Sequence, residues 1–227
     1  MNIKIGALAR GLATYVPGMA LLHRHVTHTG GTDSARYCYS VWLRHLVMSR
    51  RNGLCVRPPP RVAELGPGDS IGIGLAALLS GVDCYYGLDA LPLANFSRNI
   101  GVFEQLADLF CMSAAIPDDD EFPGVKPKLA SYVFPQGLFD HPDEQRIRRI
   151  RRSIEDPLGA DSMIRYVAPW WSPKVIEQRG VDMIFSQAVL EHVDDLATAY
   201  SAMRGWLAAG GWLSHQIDFR SHGTAQE

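Results

Sequence analysis

The strongest chemical signal in the chain is a set of glycines, Gly66, Gly68 and Gly72, in "RVAELGPGDSIGIGLAAL". A Cβ at either of the first two would obstruct a ligand lying against the turn. A helix starting just after them would aim free N–H groups and its positive dipole end at that ligand. Asp89 comes 23 residues after Gly66 and closes the run "YYGLD", where a carboxylate can accept hydrogen bonds from both ribose hydroxyls. Turn and acid together point to a ligand that contains a nucleoside. A dinucleotide site wants G-x-G-x-x-G, so that the third glycine lets helix pack on strand. Ile71 stands at that third position, and Asp69 would set a negative charge beside a pyrophosphate. With Glu64 just before the turn, the acidic rim suits a cationic, phosphate-free ligand better than NAD.

Groups that could move a proton lie in two other places. His192 sits in "VLEHV", and "SHQIDFRSH" carries His215, Asp218 and His222 in H-x-x-D-x-x-x-H order. Period two puts His215 and Ile217 on one face and Asp218 on the other, so the trio converges only if the strand ends near Asp218. Acid–base work or substrate orientation fits these residues better than a metal site, and no metal is expected.

These residues need elements to hold them. Strands are expected over 61–65, 83–88, 163–167 and 181–186, with a fifth in "WLSHQIDF". Helices are expected over 70–80, between 93 and 110, and from about 194 to 207, ended by Gly210-Gly211. Strand–helix alternation implies an α/β fold, a mostly parallel sheet with helices on both faces and ligands at the carboxyl ends of its strands. Residues 1–60 read as an N-terminal helical extension, with a helix through "SARYCYSVWLRHLVMSRR" closed by Gly53 before "RPPP" breaks regular structure. Residues 61–227 read as the core. A long insertion at about 112–160 separates the second and third strands, and it reads as a lid or substrate-binding piece. It ends in the basic helix "DEQRIRRIRRSIED", whose arginines either face solvent or bind an anionic substrate.

Composition narrows the class. The net charge of −2 gives no reason to expect nucleic acid, and the longest apolar run is too short to span a bilayer. Four cysteines, Cys38, Cys55, Cys84 and Cys111, lie far apart without any C-x-x-C pair, which speaks for reduced thiols and a cytoplasmic protein. Nothing in the composition decides against a homo-oligomer.

The chain resembles the class I S-adenosylmethionine-dependent methyltransferases, the "type 11" group in particular. The resemblance rests on "VAELGPGDSIG", on the acid ending the second strand, and on "VDMIFSQAVLEHVDDLATAYSAMRGWLAAGGWL". It covers roughly 61–91 and 166–218. It implies a Rossmann-like fold and an enzyme that binds S-adenosylmethionine and releases S-adenosylhomocysteine. The resemblance also assigns roles. Gly66, Pro67, Gly68 and Asp69 would lie against the methionine part, with Glu64 organising the turn and the amino group. Asp89, Ala90 and Leu91 would hold ribose and adenine. Ala168, Pro169 and Trp170 would cover the adenine, and Ser186, Gln187 and Ala188 would line the floor near the sulfonium. The acceptor would be a small molecule or a glycan precursor, methylated on oxygen. His192, His215 and Asp218 are then the candidate catalytic residues. The last two strands of the family's sheet have no counterpart in this chain. That leaves two alternatives, a non-catalytic or truncated cofactor-binding homologue and, further off, an NAD-dependent oxidoreductase.

Overall fold

The computed structural model describes residues 31–170 and 172–219. Its core is a five-stranded sheet in the order β3-β2-β1-β4-β5, made of β1 (Arg61–Leu65), β2 (Cys84–Leu88), β3 (Ile164–Val167), β4 (Val181–Gln187) and β5 (Leu207–Gln216). Every neighbouring pair is parallel, so each connection must cross over a face of the sheet. Helices α1 (Ala35–Arg51), α2 (Gly72–Leu79), α3 (Phe96–Cys111) and α4 (Glu144–Glu155) share one apolar cluster with Val62, Tyr85, Ile164, Met183 and Phe185. The opposite face carries α5 (Leu196–Trp206), whose Ala202, Met203 and Trp206 pack on Ala63, Leu65 and Ile184.

Local chemistry sets the helix starts. Ser34, Asn95, Asp143 and Asp195 each accept a backbone N–H of the first turn with the side chain, the N-cap geometry that satisfies an otherwise orphaned donor. Helix α2 has no such cap and all its residues are buried, so packing between α1 and the sheet is what holds it. Glycines make that packing close. An added Cβ at Gly74 would lie 2.3 Å from the Tyr85 ring, and one at Gly72 would lie 2.5 Å from Cys38 Sγ. Gly74→Ala should therefore cost about 1–3 kcal/mol in urea unfolding, the usual range for overpacking. A wild-type midpoint would mean that the ring can move aside.

The fifth strand begins earlier than the sequence suggests. Helix α5 ends at Trp206 and β5 starts at Leu207, so Gly210 and Gly211 lie inside the strand instead of ahead of it. Gly210 takes φ 79° where the pairing with β4 slips between Val181 and Met183, a bulge that a side chain would strain.

The insertion is part of the core. Ile116, Val125, Leu129, Phe134, Leu138 and Phe139 are buried in the α1–α4 cluster. Arg44 of α1 pins this segment from below: the side chain is fully buried and donates to the carbonyls of Pro127 (2.8 Å), Pro117 (3.1 Å) and Val125 (3.3 Å). Helix α4 lies at the amino ends of the strands, where Arg146 donates to the carbonyls of Leu78 and Val82 and Ser153 accepts from the amide of Met163. Arg148 pairs with Glu144 and Arg151 with Glu104. The arginines named here thus serve the helix and the far edge of the sheet. None of them reaches the carboxyl ends of the strands through these contacts.

Candidate functional site

At the carboxyl ends of β1 and β2 the backbone is woven into one rim. The Gly66 amide donates to the Leu88 carbonyl at 2.8 Å, the Asp89 amide to Val167 at 3.1 Å and the Trp170 amide to Asp89 at 3.2 Å. Gly66 and Gly68 both take left-handed conformations, φ 66° and φ 75°, which explains why neither position carries a side chain. Space is a second reason at Gly66, where an added Cβ would sit 2.7 Å from Val189 Cγ2. The Asp89 carboxylate, nearly buried, accepts from the Gly68 amide (3.2 Å) and from the Ala90 amide (2.9 Å). The acid on β2 and the glycine turn after β1, 21 residues apart, are thereby one hydrogen-bonded unit. Asn95 ties the turn to α3 by donating its amide to the Asp69 carbonyl at 2.9 Å, and the Asn99 side chain accepts from the Ile71 amide.

Glu64 lies beneath this turn, 1% exposed, and its carboxyl accepts a 2.6 Å hydrogen bond from the Tyr85 phenol. Two glycines shape the slot for that ring: Gly74 lies over its edge, and an added Cβ at Gly87 would come 2.9 Å from the phenol oxygen. Burial pushes the Glu64 carboxyl up to about 8, the Tyr85 hydrogen bond opposing the rise and the Asp89 charge adding to it.

The other expected residues land unevenly. Pro67 is buried, Asp69 and Leu91 are half-buried, and Ala90 is exposed on the rim. Ala168 and Pro169 follow β3 through a cis peptide bond, while the Trp170 ring turns to the opposite face and meets Trp206 edge-on at 5.4 Å. Trp170 therefore anchors α5, and its backbone alone joins the rim. Ser186 and Gln187 end β4, and the Ala188 amide donates to the Gln216 carbonyl at 2.9 Å. Ser186 Oγ hydrogen-bonds His215 Nδ1 at 2.8 Å, beneath the Tyr200 ring of α5. Burial drives the His215 imidazole down to about 4, which leaves it neutral at pH 7 and a weak base. His192 is exposed in a short helical turn at Leu190–His192, and the Asp218 amide donates to Glu191 Oε1 at 3.2 Å just past β5. His222 and Trp171 lie outside the described residues.

Two residues escaped the sequence reading. His45 of α1, 2% exposed, reaches the carboxyl end of β5, where its Nδ1 hydrogen-bonds Ser214 Oγ at 2.7 Å. Burial lowers it to about 4, with Gln187 opposing and His215 adding to the shift. His45, Gln187 and His215 thus gather three buried polar side chains at this end of β4 and β5. The only available signal was a histidine in the apolar helix segment "VWLRHL". Tyr85 is the second, and period-two alternation in "CYYGL" does place it on the face of Gly87.

No family model matches the chain, and no curated protein does. Among solved structures it is similar to an S-adenosylmethionine-dependent methyltransferase from Mesorhizobium loti, at 17% identity and TM-score 0.37, over 75% of this chain and 52% of that one. It is similar to phosphoethanolamine N-methyltransferase 2 of Haemonchus contortus at 17% identity and TM-score 0.41, over 82% of this chain and 30% of that one. A third is a putative methyltransferase from Methanococcus maripaludis, at 12% identity and TM-score 0.39, over 77% and 56% of the two chains. The chain spans well under two thirds of the length of each. The fold is Rossmann-like. Strand order and parallel register establish that without these distant likenesses.

Proposed function

We propose that the chain is an S-adenosylmethionine-dependent methyltransferase acting on the oxygen of a small molecule or glycan precursor in the cytoplasm. The observation that carries this reading is the Gly66–Gly68 turn bonded to Asp89 at the carboxyl ends of β1 and β2, with Glu64 buried beneath it. Among the described residues such a turn offers backbone N–H groups, the Asp89 carboxylate and the Glu64 carboxyl but no basic side chain, so it suits a ligand that brings a ribose and positive charge. Ser186, Gln187 and Ala188 continue the rim toward β5, where the reacting sulfonium would lie. Methyl transfer is an in-line displacement in which positioning does most of the work, while a hydroxyl acceptor must also lose a proton. His215 and His45, near the carboxyl ends of β4 and β5, are weakened as bases by burial and would take part by accepting a hydrogen bond from the acceptor hydroxyl. His192 and Asp218 line the same edge. Spaced, unpaired thiols fit a reducing compartment, and no described helix is long and apolar enough to cross a membrane.

Calorimetry with S-adenosylhomocysteine tests the core of the reading. Intact protein should bind. Asp89→Ala, which removes the ribose acceptor, and Gly68→Val, which forces a branched side chain to φ 75°, should each weaken binding at least about a hundredfold while the chain stays folded by circular dichroism. A folded wild-type protein that ignores the compound refutes the proposal.

A further inference from the structure

The carboxyl group under the glycine turn is in an unusual state for a residue so close to a ligand site. Glu64 accepts one hydrogen bond, from a neutral phenol, and takes part in no ion pair among the described residues. The titratable groups that face it are Tyr85 of β2, Asp89 just past that strand, and Tyr37 and Cys38 of α1. None of these supplies a positive charge. Burial holds Tyr37 up at about 12 and raises Tyr85 and Cys38 as well, so all three stay neutral between pH 6 and 8. A buried carboxylate without a cation is costly, and such a group keeps its proton instead.

We propose that Glu64 gives up its proton to solvent when the cofactor's ammonium group enters the turn, so that cofactor binding is coupled to the release of one proton. The inference rests on the cofactor reading above and goes beyond it. The O–H bond of the Glu64 carboxyl breaks, the proton leaves to buffer, and the carboxylate that remains is balanced by the arriving ammonium. The Tyr85 phenol, already donating to Glu64 at 2.6 Å, stabilises the ionised form through the same bond. Gly74 and Gly87 keep the slot for that ring, which gives both glycines a part in the device. The site becomes selective for the amino-acid end of the ligand: a nucleoside without an ammonium offers Glu64 nothing in exchange for its proton.

The test is calorimetry at pH 6 to 7 in buffers of different ionisation enthalpy, with S-adenosylhomocysteine and with 5′-methylthioadenosine, which lacks the amino acid. S-adenosylhomocysteine should release close to one proton and gain about tenfold in affinity over that pH unit, whereas methylthioadenosine should release none. In Glu64→Gln the release and the pH dependence should both vanish. Tyr85→Phe removes the donor that favours the charged form, so the pH at which affinity stops rising should move upward. Binding of S-adenosylhomocysteine with no proton exchange overturns the proposal and leaves the cofactor reading standing. Equal release by both ligands or by Glu64→Gln overturns it too, as does an unmoved pH profile in Tyr85→Phe. No binding at all overturns the cofactor reading itself, and this proposal with it.

Discussion

Arg44→Ala should lose about 3–5 kcal/mol of unfolding free energy in urea, the cost of breaking a buried charged network by removing one partner. Arg44 is fully buried between α1 and the insertion, and its guanidinium is shared among Pro117, Val125 and Pro127 carbonyls, Ser40 Oγ and the Asp119 carboxylate at 3.2 Å. The Tyr132 ring lies 4.9 Å from its central carbon, adding a cation–π contact on the same side. Alanine would leave the Val125 and Pro127 carbonyls without this donor and a void where the side chain lay, and the segment of residues 112–143 would lose one of its ties to α1. Arg44→Lys keeps the charge but not the planar fork, so it should recover only part of the loss. A loss below about 1 kcal/mol for Arg44→Ala would show that the apolar contacts and the Arg36, Tyr39 and Ser40 hydrogen bonds suffice to hold the insertion.

The second large effect concerns pH. The Glu64 carboxyl sits at about 8 in the folded protein against an ordinary value of 4.5. Between those values the unfolded chain has released a proton that the native state still holds. Stability contributed by this group is therefore greatest below the lower value and falls as pH rises toward the higher one. At about 1.4 kcal/mol per pH unit, the loss from pH 5 to pH 7 amounts to about 2–3 kcal/mol. Glu64→Gln has no such proton, so urea unfolding of the two proteins at pH 5 and at pH 7 should show the variant gaining that amount on the wild type. A difference that stays constant would mean that Glu64 is ionised in the native state, and that some cation reaches it. The same measurement in the presence of S-adenosylhomocysteine should shrink the gap, since a bound ammonium removes the reason for keeping the proton.

Gly66 and Gly68 show what was legible in the sequence. Their conformations follow from local backbone sterics, so residue type and spacing sufficed to place a tight, uncovered turn at the end of a strand. Asp89 was legible for a similar reason: an acid one residue beyond an apolar run of strand length has its place fixed by the strand itself. The alternation of strands and helices then gave the parallel Rossmann-like sheet, because each parallel pair requires a crossover. Boundaries were less secure where two signals compete. Gly210 and Gly211 read as a helix stop, yet the structure spends them on a bulge inside β5, a choice made by pairing with β4. What only the tertiary structure decided was partnership across large sequence separations. His45 meets Ser214 across 169 residues and Arg44 meets Pro127 across 83, and no local pattern carries such information. The edge-on contact of Trp170 with Trp206 of α5 is likewise one that no local pattern announces. The charge state of Glu64 belongs to the same class. The sequence alone fixed an acid before the turn, while burial against Tyr85, in a slot cut by Gly74 and Gly87, decided that the acid keeps its proton until something positive arrives.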